Sequence, residues 1–232
     1  MPDFAPLADP TACPPDPALE PVLVHADAHL LVFDKPSGLL SVPGLGPDKQ
    51  DCLRVRAQRR WPDAMTVHRL DMATSGLVLM ARGPEMQKAL SMAFEKRQVH
   101  KRYEAVVLGT PATSPDAEGW SRIALPIRID YLNRPRSIVD AERGKPSLTL
   151  WRPLGPGPWP GTTRLSLEPF TGRTHQLRVH LMALGHPIVS DPLYAPPAGR
   201  TLAPRLLLHA CELALPHPAT GQVLRLSRAA PF

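Results

Sequence analysis

An uninterrupted apolar run at residues 77–81 most constrains the fold of this 232-residue chain. It reads Leu-Val-Leu-Met-Ala and lies between Gly76 and Arg82. A strand with one solvated face alternates apolar and polar residues, whereas a strand covered on both faces is apolar throughout. The run is too short for a helix that is hydrophobic on every side. We therefore expect a sheet with this strand near its centre and with other elements packed on both faces.

Weaker patterns supply the neighbours of this strand. Apolar clusters and alternation predict strands at 22–24, 30–33, 99–108, 164–168, 206–208 and 223–226. Apolar residues at 86, 89, 90, 93 and 94 form one stripe of a helix that begins near Pro84. A second helix is predicted over 174–184, with Leu177, Leu181 and Leu184 facing inward and Gly185 as its C-cap. Segments 110–120 and 152–161, rich in Pro, Gly and Ser, are predicted as surface loops. Many strands and few helices without regular alternation predict an α+β fold.

The N-terminal segment differs in composition from the rest of the chain. Residues 1–20 contain six prolines, which predicts an extended tail followed by one folded domain over 21–232. No apolar run approaches the roughly 18 residues that a membrane span requires, and the N-terminus lacks the pattern of a secretory signal. Three widely separated cysteines fit neither a disulfide framework nor a zinc site. We expect a cytoplasmic protein that does not associate with membranes.

The charge is distributed unevenly. The first 34 residues carry six acids and no Lys or Arg, so the other 198 hold all 27 basic residues and the remaining 15 acids, a balance of +12. Arg outnumbers Lys by 21 to 6. A biased genome explains an excess of Arg over Lys, but it does not explain a net positive body. A polyanionic partner is the better explanation, and the planar fork of Arg suits phosphate oxygens.

Three positions stand out as candidates for chemistry. Asp71 lies between apolar residues just before the buried strand, where a turn or cap is the usual role of an acid. Arg173 and His175 lie at the start of the second predicted helix, where the helix dipole disfavours cations and calls for an anion nearby. Tyr103 lies in a predicted strand, where packing is the common role of a tyrosine. No one of these residues is decisive alone.

These residues lie in several long motifs that occur in one order and together resemble a known family. HRLDMATSGLVLMAR (68–82), KRYEAVVLG (101–109) and TGRTHQLRVHLMALGHPI (171–188) resemble the RluA family of pseudouridine synthases, as do KPSGLLSVPG (35–44) and LLLHA (206–210). Segments 125–136 and 191–210 resemble the short, dual-specificity branch of that family, which modifies 23S rRNA and the tRNA anticodon stem-loop without an N-terminal S4 domain. Ser190 stands where the family commonly has Gly. About 20 residues before the first strand leave no room for an S4 domain.

The resemblance implies a fold, a site and a reaction. It implies a mixed, mainly antiparallel sheet flanked by helices and loops around a central cleft. It assigns catalysis to Asp71, Tyr103 and Arg173, with Arg173 as the basic partner of the aspartate. It implies that Arg69 holds the opened RNA loop once the target base is turned out of its stack. The further candidates for substrate contact are His68, which is alternatively a structural neighbour, together with Asn133, Arg134, His175 and Gln176.

The implied reaction isomerises uridine to pseudouridine, so neither a cofactor nor a metal is expected. The expected partner is RNA, either tRNA or 23S rRNA or both, and we expect a monomer that needs no protein partner. Attack by Asp71 as a nucleophile and removal of a sugar proton both remain open. Two other functions compete with this one. A non-catalytic RNA-binding protein that retains the fold would explain the basic body, and a metal-dependent nuclease would use some of the nine histidines, although His175 and His180 are not spaced for one helical face.

Overall fold

The computed structural model describes residues 20–232, so the predicted proline-rich tail lies outside the described residues but for its last position. The strands of this part are β1 (Val22–Ala26), β2 (Leu30–Lys35), β3 (Ala64–Thr66), β4 (Ser75–Arg82), β5 (His100–Leu108), β6 (Ser121–Ile123), β7 (Ile127–Ile129), β8 (Ser137–Val139), β9 (Thr149–Pro156), β10 (Thr162–Pro169), β11 (Leu208–Pro216) and β12 (Val223–Ser227). The helices are α1 (Leu53–Arg60), α2 (Gly83–Glu95), α3 (Gln176–Ala183) and the short α4 (Pro197–Arg200). In this part of the chain, no helix is both long enough and apolar enough to cross a bilayer.

Ten of these strands form one sheet in the order β1-β2-β4-β11-β5-β10-β9-β6, with β12 on β11 and β3 on β4. β7 and β8 form a separate hairpin. β4 and β11 run parallel, and every other pairing between the named strands is antiparallel. The α+β class and the mainly antiparallel mixed sheet are therefore confirmed.

The apolar run forms β4, whose residues 75–81 are all buried. On one face, Leu77 and Leu79 pack in a cluster with Leu90 of α2. On the other face, Val78 and Met80 belong to the larger core, which also contains Leu181 of α3. A helix on each side thus covers the sheet, which explains why this strand lacks polar alternation. The close parallel pairing requires Gly76, since a Cβ there would lie 2.3 Å from the carbonyl oxygen of Ala210.

The helix predictions hold with one correction. α2 starts at Gly83 with Pro84 in its first turn, and its buried residues lie on the predicted stripe. α3 is shorter than predicted, because His175 adopts a left-handed φ of 56° as the N-cap. The prediction that Leu184 faces inward is wrong, since it is the C-cap and 38% exposed. Gly185, predicted as the C-cap, lies one residue after it and has the left-handed φ of 82° that commonly ends a helix.

Segment 110–120 is a loop as predicted, and so is 157–161, but the prediction of a loop at 152–156 is wrong. β9 extends to Pro156 and pairs with β10 along its length, with one shift of register. β6 covers the other side of β9 only as far as Trp151. The prolines at 153 and 156 therefore lie where β9 is an edge strand, and proline is tolerated there because its missing N–H faces no partner.

Candidate active site

Asp71 lies in the loop that joins β3 to β4, at the floor of a cleft of about 530 Å³. Its side chain is 29% exposed, so the carboxylate can meet a substrate. The same loop contributes Arg69. Four other parts of the chain complete the cleft, and their residues include Phe94, Arg97, Lys101, Tyr103, Phe170, Arg173, His175, Arg178 and Leu208. The predicted site residues on three separate motifs therefore meet in one place.

The loop that carries Asp71 is held by residues 35–41, which we call the brace segment. Ser41 Oγ donates to the carbonyl oxygen of Leu70 at 2.7 Å and accepts from the Leu70 amide at 3.1 Å. The Gly38 amide donates to the carbonyl oxygen of Met72 at 2.8 Å. These bonds fix the backbone on both sides of Asp71.

Lys35 adds a buried cation to the brace segment. Its Nζ donates to the carbonyl oxygens of Pro36 and Leu39 at 2.8 Å and of Met72 at 3.2 Å. The side chain is fully buried, and burial lowers the pKa of the ammonium to about 7, although nearby Asp71 opposes that shift. Three carbonyl acceptors converge on one donor, so this lysine joins the two loops rather than facing the substrate.

The ion partner of Asp71 is Arg178. Nη1 of Arg178 lies 3.3 Å from Oδ2 of Asp71, and Nε and Nη2 each donate to Asp191 at 2.8 Å. Arg178 and Asp191 are almost fully buried. Burial disfavours the guanidinium, but the two bonds to Asp191 outweigh it and raise the pKa of Arg178. A permanently charged arginine therefore faces Asp71 from the buried side of the cleft.

The prediction that Arg173 is the basic partner of the aspartate is wrong. Arg173 precedes the first turn of α3, and its Nε and Nη2 donate to the carbonyl oxygen of Pro146 at 3.3 Å. Its guanidinium lines the cleft at the exposed rim and forms no ion pair with a described residue. The helix geometry explains the difference, because residue 178 lies on the inward face of the first turn of α3.

Tyr103 enters the cleft from β5 and is 9% exposed. Burial, reinforced by nearby Asp71, raises the pKa of its phenol. The hydroxyl is therefore neutral at ordinary pH and is able to donate a hydrogen bond. Within residues 20–232 it has no hydrogen-bond partner, which leaves it free for a substrate.

His175 Nε2 lies 3.8 Å from Oδ2 of Asp71, the same oxygen that faces Arg178. Its Nδ1 is 2.8 Å from the hydroxyl of Tyr194, which accepts from the Ser137 amide at 2.8 Å. The hydroxyl of Tyr194 thus links the ring of His175 to the backbone of β8. Burial lowers the pKa of His175, so the ring is neutral. Sequence reasoning missed Tyr194 and Asp191, which the DPLY motif at 191–194 supplies together.

Two predicted substrate contacts have structural roles instead. His68 Nε2 accepts from the Leu79 amide at 2.9 Å, and its ring stacks on Phe94 with centroids 4.6 Å apart. Gln176 is buried, accepts from the Thr171 hydroxyl at 2.7 Å, and also donates to the Leu148 carbonyl oxygen. Nε2 of His68 and the side-chain amide of Gln176 are bonded within the protein, so we correct the prediction that these two residues bind substrate.

The remaining predicted contacts are exposed. Arg69 lies on the cleft rim and forms no ion pair with the described residues. Asn133 and Arg134 lie at the tip of the β7–β8 hairpin, outside the cleft lining. Asn133 donates to Asp130 at 2.9 Å, and Arg134 stacks over the ring of Tyr131 at 4.8 Å.

The histidines considered for a nuclease do not form a metal site with Asp71. His180 is fully buried and contacts Ser147 and Thr149 away from the cleft. In residues 20–232, the side chains with spacing for a metal ion are Asp27, His29 and His217, and they do not line the cleft. The cleft instead combines the Asp71 carboxylate, one buried arginine and one neutral tyrosine beneath an exposed rim of several cations and Glu95, an arrangement that fits an enzyme acting on a polyanion by carboxylate chemistry.

Comparisons with known proteins specify that class. A family model described as RNA pseudouridylate synthase matches residues 29–183. The chain therefore belongs to the RNA pseudouridylate synthase family and is an isomerase that acts on RNA.

Relatives of similar length agree with this assignment. The chain is 45% identical to a dual-specificity RNA pseudouridine synthase of Pasteurella multocida over 92% of this chain and 94% of that protein. It is also 45% identical to the protein of the same name from Escherichia coli K12, over 94% and 97%. Among solved structures, human RNA Pseudouridylate Synthase Domain Containing 1 has a TM-score of 0.74 at 30% identity, covering 92% of this chain and 84% of that one.

Proposed function

We propose that Asp71 drives the isomerisation and that the substrates are uridines in stem-loops of tRNA, at the anticodon, and of 23S rRNA. The observation that carries the catalytic assignment is the partly exposed Asp71 carboxylate held against the buried Arg178–Asp191 pair. Arg178 is buried with two bonds to Asp191, and its third nitrogen faces Asp71. Burying these charges costs free energy of desolvation. The arrangement serves a reaction that requires an ionised, oriented carboxylate.

The reaction conserves composition. The bond from C1′ to N1 breaks, the uracil turns, and C1′ joins C5, while C5 loses a proton and N1 gains one. Asp71 either attacks as a nucleophile or removes a sugar proton, and in both cases Arg178 stabilises its charge. The ring of Tyr103 packs against the uracil, and its neutral hydroxyl contacts the base as the proton on C5 is transferred.

Uridine in a folded loop cannot reach the floor of the cleft while it is stacked. It has to be turned out of the RNA, and Arg69 at the exposed rim is placed to hold the loop that remains. Asn133 and Arg134 at the hairpin tip are proposed as further RNA contacts. Tyr131 beside them is 65% exposed and offers an aromatic face for an unstacked base.

Lys101 is the proposed contact for a phosphate next to the target nucleotide. It lies two residues before Tyr103 on β5, so both side chains project from the same face of the strand into the cleft. Burial lowers the pKa of Lys101, and within the described residues it has no acidic partner. A desolvated ammonium without a counter-ion is stabilised by a phosphate more than a surface lysine is.

The substrate assignment rests on the similarity to the dual-specificity relatives and on the anticodon-type loop that a single compact domain can enclose. We propose that the protein acts as a monomer, without an obligatory protein partner, in the cytoplasm where these RNAs are made. The non-catalytic RNA-binding protein considered from the sequence gives no reason for the linked arrangement of Asp71, Arg178 and Asp191.

Tritium release tests the proposal directly. Purified protein, without added metal or nucleotide, is incubated with hairpins labelled at uracil C5 that represent the anticodon loop and a 23S rRNA loop, with scrambled loops as controls. We expect release from both native loops and none with Asp71→Asn, whose RNA affinity stays within a few fold of wild type. Binding without release by the wild-type protein would favour the non-catalytic alternative. Release only from a large ribosomal particle would overturn the dual substrate assignment.

A further inference from the structure

A second cluster of titratable side chains lies at the turn between β1 and β2. His25, Asp27 and His29 alternate along the chain there. Oδ1 of Asp27 accepts from the His29 and Leu30 amides at 2.7 and 2.9 Å, which is the ordinary role of an aspartate in a turn. Oδ2 takes no part in the turn and instead faces side chains from other parts of the structure.

Three imidazoles surround this carboxylate. His25 Nε2 lies 2.7 Å from Oδ2, and His217 Nε2, from the turn after β11, lies 3.2 Å from the same oxygen. His29 Nδ1 is 3.8 Å from Oδ1. Ligand atoms of Asp27, His29 and His217 all lie within 4.8 Å of one another.

We propose that Asp27, His29 and His217 bind a divalent transition-metal ion, with Zn²⁺ as the best match. Two imidazoles and one carboxylate are the nitrogen and oxygen ligands that Zn²⁺ accepts in tetrahedral sites, with water in the fourth position. Turn formation alone would require neither His29 nor His217. Oδ1 of Asp27 is occupied by the turn amides, so Oδ2 is the carboxylate oxygen directed at the imidazoles.

Metal binding would change which ring nitrogen of His217 carries the proton. The Ala219 and Thr220 amides approach Nδ1 of His217 at 3.3 Å, so without metal the ring proton is on Nε2 and points at Asp27. When the ion takes Nε2, that proton moves to Nδ1 and the two long contacts are lost. His25 keeps its hydrogen bond to Asp27 and is a positioning residue that orients the carboxylate.

The site joins two turns that are far apart in sequence, near residues 27 and 217. None of its ligands lines the catalytic cleft. We therefore expect the ion to stabilise the fold without participating in the isomerisation, and this inference does not depend on the proposed RNA substrates.

Calorimetric titration of the full chain with Zn²⁺ tests the site, using protein purified without a polyhistidine tag and stripped by chelator. We expect one saturable site, a rise of several degrees in the melting temperature, and with Co²⁺ the visible absorption typical of tetrahedral coordination. Asp27→Asn, which keeps the Oδ1 acceptor for the turn, and His29→Gln should each weaken binding at least tenfold. His100→Gln, on β5, is the matched control and should bind as wild type.

Two results would overturn the proposal: titration without one-to-one saturable binding, or unchanged affinity in both ligand variants. Isomerase activity should be the same before and after chelation. A loss of activity on chelation would contradict the stabilising role.

Discussion

Arg178 and Asp71 are joined at the cleft floor by a contact of 3.3 Å between Nη1 and Oδ2. The arginine cannot turn away, because Asp191 binds its other two nitrogens at 2.8 Å. The charge that faces Asp71 is therefore fixed in position before any RNA binds. Preorganisation of this kind stabilises charge in the transition state without a cost of reorganisation.

Arg178→Lys should lower kcat at least a hundredfold. A lysine cannot bind Asp191 through two nitrogens and still reach Asp71. Arg173→Lys, the matched control on the cleft rim, should leave kcat within a few fold. Single-turnover rates on the anticodon hairpin, with circular dichroism to check folding, measure both effects. Equal losses of kcat in the two variants would remove the special role of Arg178.

Tyr103→Phe should lower kcat by about a hundredfold or more with little change in KM, because the ring remains and only the hydroxyl is lost. Tyr103→Ala should raise KM as well, since it removes the face that packs against the uracil. Steady-state kinetics on one hairpin separates these effects. If Tyr103→Phe turns over as wild type does, the hydroxyl takes no part in the reaction.

Arg69→Ala should slow turnover at least tenfold on a closed hairpin, because the opened loop loses its support. A hairpin with abasic residues on both sides of the target opens at a lower cost, so it should recover most of the rate. Single-turnover rates of wild type and variant on the two hairpins measure how much of the defect is due to loop opening. A defect of the same size on both would assign Arg69 to RNA binding in general.

Lys101→Met and a neutral methylphosphonate beside the target uridine should each lower kcat/KM by about tenfold. Combining them should cost little more than either alone, because both remove the same contact. The variant should also reduce the dependence of log kcat/KM on log salt by about 0.7. Lys88→Met, an exposed position on α2, is the control. Additive losses would place the phosphate elsewhere.

His68→Gln should change the response of stability to acid. Burial lowers the pKa of His68 from 6.5 to about 3, so the unfolded chain binds more protons between these values. The stability that neutral His68 contributes is complete above pH 6.5 and is lost as pH falls toward 3, by up to about 1.4 kcal/mol per pH unit. Glutamine can accept from the Leu79 amide but does not titrate. Urea unfolding at pH 7, 5.5 and 4.5 should show the wild-type advantage shrinking, whereas a constant difference would contradict the prediction.

The sequence predicted the elements whose apolar residues follow one clear pattern. The strand at 77–81 and the helix from Pro84 have patterns with one periodicity and a long apolar face. α1 was missed because four of its eight residues are polar or charged beyond the buried Leu53, Arg56 and Ala57, and a buried arginine does not count as apolar. β9 was missed because its prolines indicate a loop unless the free edge of the strand is known.

The sequence predicted only part of the site, because local motifs do not show the tertiary contacts that orient the other residues. Asp71 and Tyr103 lie in motifs that suffice to place them, and the structure brings both to one cleft. The choice between Arg173 and Arg178 depends on where α3 begins. The resemblance assigned the role to Arg173, whereas the left-handed turn at His175 delays the helix and directs Arg178 inward. That turn is held by tertiary contacts to Tyr194 that no local pattern reveals.

The brace segment has a consequence for which RNAs can be substrates. Its bonds to the carbonyl oxygens of Leu70 and Met72 leave the loop around Asp71 little freedom to follow an incoming nucleotide. The RNA must then undergo nearly all of the deformation that brings sugar and carboxylate together. A loop of the correct sequence that is too stiff to open should therefore be a poor substrate, because the cleft does not adapt to it. The stiffness of an RNA loop then adds to its sequence in deciding whether its uridine is modified.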